Sequence, residues 1–161
     1  MKILIVSDTH GQAENLLRVL DRQGPVDCLI HCGDIEGQEN YFRTLTDGPC
    51  YMVAGNSDWG TDLRRELEFS LDDYRVYLTH GNQFGVSLGT KQLRDEAKSR
   101  NMQFAMFGHT HRPLIEDADH LVLMNPGSLS YPRQLGRKPS YIVMEIDKNH
   151  EAHYQITGLS S

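Results

Sequence analysis

The amino-acid sequence predicts a mixed α/β domain whose strands deliver ligand-bearing loops to one shared site, and three observations carry that prediction. Five apolar, β-rich runs recur, at residues 3–6, 28–32, 51–54, 76–79 and 104–107. Most are near-continuous rather than alternating, as strands covered on both faces are. An amphipathic segment separates the first run from the second, so the chain opens as a strand-helix-strand unit. Each run is followed at once by a glycine paired with metal-ligand chemistry: Asp8-Thr9-His10-Gly11, Gly33-Asp34, Gly55-Asn56, His80-Gly81 and Gly108-His109-Thr110-His111.

Taken in order, the run at 3–6 reads as a buried strand, being far too short for the core of a signal peptide. Residues 12–20 follow as a helix with Leu16, Val19 and Leu20 on one face, ended by Gly24-Pro25. A second helix is expected after Glu36, with Tyr41, Phe42 and Leu45 turned inward. A third is expected over 91–99 on Leu93 and Ala97. All five apolar runs are expected as central strands. From Glu66 onward hairpins join the pattern: Asp72-Asp73 leads into a strand at 74–76, and Asp147-Lys148-Asn149-His150 separates 142–146 from 154–156.

A length of 161 residues, with no repeat and no linker-like stretch, suits a single domain over 1–161. No apolar stretch approaches the ~20 residues that span a bilayer, and no export signal is evident, so the expected location is the cytoplasm. A net charge of −6 argues against a broad nucleic-acid surface and leaves a homo-oligomer open. Cys28, Cys32 and Cys50 read as reduced core residues. The first two are four apart on an expected strand, hence about 13 Å from each other, which makes a poor zinc pair.

In open α/β sheets sites form beyond the carboxyl ends of the strands, so five such ends can meet although their residues are distant in sequence. Asp8 and His10, like His109 and His111, are two apart. On extended chain their side chains would project to one side, with Cα atoms about 6.5–7 Å apart, and bracket a pair of ions. Two-metal hydrolases hold their ions about 3.5–4 Å apart, commonly with a bridging carboxylate, for which Asp34 is the candidate. Two dications beside Asp8 and Asp34 would leave the pocket net positive and attractive to a phosphate. Mixed imidazole, carboxylate and amide donors suit Mn, Ni, Fe, Co or Zn better than Mg or Ca. Taken singly, each of these residues reads as a turn or hydrogen-bonding group; jointly, so many ionisable groups at buried strand ends are costly without a shared cation.

The ordered set DxH, GD, GNxD, H and GHxH resembles the calcineurin-like metallophosphoesterases, in particular the YfcE-type phosphodiesterases, and the resemblance spans most of the chain. Asn125-Pro126-Gly127-Ser128 also looks like that subgroup. The resemblance implies two packed mixed sheets flanked by helices, an αββα sandwich. It implies one metal ion on Asp8, His10, Asp34 and His111 and another on Asp34, Asn56, His80 and His109, with manganese the first expectation. It also implies in-line hydrolysis of a small phosphate ester, most readily a diester, by a metal-bridging hydroxide. Asp34, Asn56 and Asp58 are then the catalytic candidates, and Asn56 and Arg133 the substrate-binding ones.

One position departs from the superfamily. The histidine that elsewhere follows Gly-Asn, and is proposed to protonate the leaving oxygen, is here Ser57 in Gly55-Asn56-Ser57-Asp58. YfcE-type proteins often carry a small residue there. Its loss is shared by a non-catalytic retromer subunit of the same fold, so a protein-binding scaffold stands as the opposing class, and a phosphomonoesterase as a third. Other residues have two readings. His31 is expected to make a core hydrogen bond rather than ligate. Asp58 either caps a turn or orients a water or Ser57. Asn125 and Ser128 shape a turn. Arg133 is either a bidentate phosphate clamp or an exposed arginine. Trp59 and Tyr131 either line the substrate face or pack. His120, His150 and His153 are expected in solvent.

Overall fold

A computed structural model describes residues 1–160. In chain order its first elements are β1 (Lys2–Val6), α1 (Glu14–Gln23), β2 (Cys28–His31), α2 (Glu39–Arg43), β3 (Cys50–Met52), β4 (Glu66–Leu71) and β5 (Tyr74–Thr79). A short 3₁₀ turn, Asn82–Phe84, precedes α3 (Lys91–Ser99), β6 (Phe104–Met106), β7 (Pro113–Ala118), β8 (Leu121–Pro126), β9 (Ser140–Ile146) and β10 (Ala152–Gly158). Two five-stranded sheets result, ordered β10-β9-β1-β2-β3 and β4-β5-β6-β8-β7.

Both faces of each sheet are covered, which is the physical reason the runs are continuous rather than alternating. In β1, Ile3 and Ile5 enter the layer between the sheets, where Ile30, Val76, Leu78, Met106, Met124 and Ile142 meet them. Leu4 and Val6, of opposite parity, face outward beneath Leu16 and Val19 of α1 and Phe42 of α2. The second sheet repeats the scheme with Tyr77, Ala105 and Leu123 under Leu93 and Ala97 of α3. Helix α1 closes at Gly24, whose φ of 76° few side chains tolerate and whose N–H reaches Leu20 O.

Pairing sets the direction of everything that follows. Strands β1, β2 and β3 run parallel, Ile3 beside Cys28 and Leu29 beside Cys50; β5, β6 and β8 do the same, Val76 beside Phe104 and Phe104 beside Val122. Six strand carboxyl ends therefore open on one end of the sandwich, three from each sheet. The hairpin turns of β4-β5, β7-β8 and β9-β10 fall at the opposite end, because each precedes or leaves a strand at its far side.

Several expectations need correction. The 51–54 run enters β3 only at residues 51–52, and β3 is an edge strand rather than a central one, since no described strand pairs beyond it. Tyr41 is 45 % exposed, not inward, because the five-residue α2 has room for only Phe42 against the sheet. Cys50 is half-buried, while Cys28 and Cys32 are buried free thiols, with Cys32 one residue past β2. Strand β8 was not anticipated at all, although its Leu121-Val122-Leu123-Met124 run carries the same signal as the others and every residue of it is buried.

Candidate metal centre

The ligand-bearing loops are not extended. Asp8, His10, Asp34, His109 and His111 all take positive φ, between 48° and 71°, so the expected same-side projection of residues two apart on extended chain does not apply. Left-handed backbone costs a non-glycine residue about 1–3 kcal/mol, and here the folded surroundings over-determine it. Asp8 N–H donates to Gly33 O at 3.0 Å, His10 N–H to Asp34 O at 2.9 Å and Gly108 N–H to His80 O at 3.0 Å, locking the loops to one another. Close approach also fixes two glycines: a Cβ at Gly55 would lie 2.1 Å from Asp34 Oδ1, and one at Gly108 2.1 Å from Ser7 Oγ.

The curled loops bring Asp8, His10, Asp34 and His111 together, each offering one ligand atom, all within 4.8 Å of one another. His80 joins from the second sheet, its Nε2 3.3 Å from Asp34 Oδ2 and 3.8 Å from Asp8 Oδ1. Asn56 Oδ1 and His109 Nδ1 sit 3.0 Å apart at the exposed rim. All seven sequence-predicted ligands thus lie on the loops of this one end, four from the first sheet and three from the second. Asp8, Asp34, His80 and His111 are buried; His10 and His109 are half-buried.

The hydrogen bonds fix which imidazole nitrogens carry lone pairs. His111 Nδ1 donates to Tyr131 O at 2.7 Å and His80 Nδ1 to Cys32 O at 2.7 Å, so in the neutral rings each Nε2 is an acceptor. His10 Nδ1 is held by Glu36 Oε1 at 3.2 Å, leaving its Nε2 facing His111 Nε2 at 3.3 Å. Asp8 Oδ2 takes the Ser7 hydroxyl and the His109 N–H, but its Oδ1, 3.2 Å from His111 Nε2, has no hydrogen bond. His80 Nε2 is likewise buried and unbonded. Lone pairs facing lone pairs in a buried space repel unless a cation lies among them, and that is the arrangement into which divalent ions fit.

Charge follows the same geometry. A proton competes with a metal ion for these Nε2 lone pairs: burial drives His80 toward the neutral form, but the Asp34 and Asp8 carboxylates outweigh it and hold its pKa above the ordinary value. His111 behaves alike: burial lowers it and Asp8 raises it further. For Asp34, burial favours the neutral acid, yet His80, the Ser57 N–H and His10 together hold its carboxyl well below the usual range. His109, desolvated and beside His80, is lowered.

Four residues hold the loops rather than face the ligands. His31 is fully buried; its Nδ1 accepts from Gly33 N–H at 3.1 Å and its Nε2 donates to Thr9 Oγ1 at 2.9 Å. Burial depresses its pKa to about 4. Asp58 accepts four backbone N–H groups, from Asp34 and Gly55 on Oδ2 and from Ile35 and Glu36 on Oδ1, at 2.7–2.9 Å. Its carboxylate ties the Gly-Asp loop to the Gly-Asn loop. Asn125 and Ser128 do similar work: Asn125 Nδ2 bonds Gly108 O and Thr110 Oγ1, and Ser128 Oγ bonds Asp8 O. Sequence reasoning missed Glu36, whose only signal was its place two residues beyond Asp34.

Outside the ligands, Tyr131 sets its ring edge against His10, centroids 5.4 Å apart, and is half exposed, whereas Trp59 is 89 % exposed. Arg133 is exposed and opens onto a cavity of about 800 Å³ shared with His10 and His111. His120, His150 and His153 are exposed.

A family model described as the calcineurin-like phosphoesterase superfamily domain matches residues 1–149. The chain belongs to that superfamily. A probable metallophosphoesterase of Methanothermobacter thermautotrophicus is 33 % identical over 152 residues, covering 91 % of this chain and 87 % of that one. The probable metallophosphoesterase YsnB of Bacillus subtilis is 31 % identical over 150 residues, 92 % and 86 % of the two chains. The phosphodiesterase YfcE of Escherichia coli is 29 % identical over 172 residues, 91 % and 89 %. Among solved structures, a predicted phosphoesterase from Streptococcus pneumoniae superposes with a TM-score of 0.79 at 27 % identity, over 98 % of this chain and 97 % of that one. The zinc complex of Vps29 from Entamoeba histolytica shares the fold alone, with a TM-score of 0.77 at 19 % identity over 98 % and 99 %. The two-sheet architecture is thus that of the superfamily. No helix among the described residues is long and apolar enough to cross a membrane.

Proposed function

We propose that residues 1–161 form a single dinuclear metallophosphoesterase domain that hydrolyses a small phosphodiester in the cytoplasm. The observation that carries the reading is the pair of buried, unbonded acceptors, Asp8 Oδ1 and His80 Nε2, set among the lone pairs of His10, Asp34 and His111. Asp8, His10, Asp34 and His111 would hold one ion; Asp34, Asn56, His80 and His109 would hold the other, with manganese first among Mn, Ni, Fe, Co and Zn. When bound, the ions supply Lewis acidity and neutralise charge on the phosphate.

The chain's own groups do the rest. Asp34 is the one carboxylate common to both ligand sets, and Asp58 positions it through the amides of residues 34–36. Asn56 and Arg133 face the phosphate; water attacks phosphorus in line and gives its proton to solvent as the bond to the alkoxide breaks, and Ser57, whose hydroxyl is too weak an acid to give up a proton at neutral pH, leaves that alkoxide to take its proton from solvent. Aryl esters, whose leaving oxygens need no proton, are therefore preferred over alkyl esters.

The test is hydrolysis of matched aryl mono- and diesters by protein loaded in turn with each ion, alongside metal analysis. Two ions per chain and faster diester turnover are expected. Saturation at one ion removes the bridging role of Asp34, and monoester preference makes the protein a phosphomonoesterase. In Ser57→His the dependence of rate on leaving-group acidity should flatten; an unchanged slope means proton donation is not what position 57 lacks. The opposing reading, a protein-binding scaffold, draws on Ser57 and on the fold shared with Vps29. No turnover with any ion, together with partner binding that survives chelation, would decide for it.

A further inference from the structure

The positive charge beside the centre exceeds what one phosphodiester requires. Arg112, Arg133 and Arg137 line the same cavity of about 800 Å³ as His10, His111 and Tyr131. None of the three has a carboxylate partner among the described residues. Elsewhere five cations form ion pairs, Arg75 with Glu68, Arg94 with Glu116, Arg100 with Glu66 and Glu96, Lys91 with Asp95 and Lys98 with Asp119, while eight others, Arg18, Arg64 and Arg65 among them, have no described carboxylate partner either, so what sets these three apart is their gathering on one cavity. In a chain with 22 acidic and 16 basic residues, three guanidinium groups gathered on one cavity wall repel one another, and anionic charge placed among them offsets that repulsion.

A second cavity, of about 600 Å³, adjoins the first, and Arg112 and Arg133 belong to both. Its remaining wall is about half apolar, with Val86, Leu88, Phe107, Pro113 and Leu114 beside Ser87, Thr90, Thr110 and Asn125. Leu88 is 97 % exposed at its mouth, on a loop flanked by Gly85 and Gly89. The surface beside the ligands thus offers, side by side, an arginine-lined compartment and a half-apolar one.

Resting on the phosphodiesterase reading, we infer that the substrate carries a second phosphoryl group on the same organic framework as the scissile ester. With Arg133 on the scissile phosphate, the second group sits against Arg112 and Arg137, and the apolar framework lies along Val86, Leu88 and Leu114. A monoanionic diester at the ions would leave the outer guanidinium groups without a partner, whereas a second phosphoryl group accepts bidentate hydrogen bonds from them.

Calorimetry on the metal-loaded protein tests this without relying on turnover, using adenosine 3′,5′-bisphosphate and adenosine 5′-monophosphate as probes. The bisphosphate is expected to bind at least tenfold more tightly, and in Arg112→Gln/Arg137→Gln the ratio is expected to fall to near one. Equal affinity for the two probes in the wild type overturns the inference. So does a double variant that weakens both probes equally, because the arginines then serve the phosphate at the ions. Arg137→Lys, which keeps the charge but loses the planar fork, should retain part of the ratio. A tenfold ratio in a protein that hydrolyses neither mono- nor diesters would uphold the second-phosphate compartment while removing the enzymatic reading.

Discussion

The two ends of the sandwich carry the same residue types and use them in opposite ways. At the carboxyl ends of the parallel strands, Asp8, His10, Asp34 and His111 gather below the surface with acceptors left unbonded; at the hairpin end, Asp72, Asp73 and His150 gather in solvent, as do Asp147, Glu151 and His153. The hairpin groups are satisfied by one another: His150 Nδ1 meets Asp72 Oδ2 at 2.7 Å and His153 Nε2 meets Asp147 Oδ2 at 2.8 Å. Backbone conformation does not separate the ends, since Asp72 and His150 have positive φ just as Asp8 and His10 do. In the hairpins that conformation is ordinary turn geometry. What separates them is burial combined with unmet hydrogen-bonding capacity, and those two properties together mark a cation site where proximity alone marks only an ion pair.

The largest contrast should appear in turnover. Asp34→Asn is expected to lower diester hydrolysis by about 10³-fold or more, because an amide cannot neutralise two ions. His150→Ala, at the other end, is expected to change neither turnover nor metal content. Circular dichroism guards the first result against unfolding, and comparable losses in the two variants would erase the distinction between the ends.

Acid stability should divide the ends by sign. The pKa of His31 is about 4 folded against an ordinary 6.5, so its stabilisation is complete above pH 6.5 and is lost as pH falls toward 4. The loss is on the order of 3 kcal/mol. His150 has a raised pKa beside Asp72, so whatever it contributes is present below pH 6.5 and fades as pH rises; in solvent and salt that contribution should be hard to detect. Urea unfolding of chelator-treated protein from pH 7.5 to 4.5 measures both, with His31→Gln expected to flatten the acid limb and His150→Ala to leave it in place.

Asp58→Asn should give a smaller effect. The amide keeps one acceptor oxygen for two of the four N–H groups and turns an NH₂ toward the others. A stability loss of about 1–2 kcal/mol and metal binding about tenfold weaker are expected from unfolding curves and metal titration. Metal affinity unchanged in a folded variant would show that the loops hold Asp34 without this clamp.

Much of this was legible in the sequence, and the reason is topological. Parallel strands covered on both faces must be continuously apolar, and the first Asp or His beyond each, Asp8, Asp34, His80 and His109, must fall at one end. The helix at 91–99 was equally plain, because Leu93 and Ala97 are one turn apart. Less visible were features set by tertiary contact. That β3 is an edge depends on what lies beside it, not on 51–54 itself. The left-handed conformations at Asp8, His10, His109 and His111 fall on residues that are not glycine and are imposed by bonds to Gly33, Asp34 and the loops opposite. The four amides on Asp58 come from two loops that the sequence sends to one end of the sheet, but nothing in it says that this carboxylate ties them together.

The order of the strands also sets a timetable for synthesis. The second sheet is built entirely from residues 66–126, inserted within the first, whose strands β9 and β10 come last. All seven candidate ligands have left the ribosome's catalytic centre once His111 is made, yet β1, which carries Asp8 and His10 on its following loop, still lacks its partner β9, with Ile5 unpaired to Ile142. For roughly thirty further residues the chain owns a full set of donor atoms on a sheet with one raw edge. Such distant pairing is slow to form, so the final strands act as the closing step that turns a collection of donors into a centre of fixed shape. A nascent chain stalled before β9 would be a poor metal trap despite containing every atom that the finished one uses.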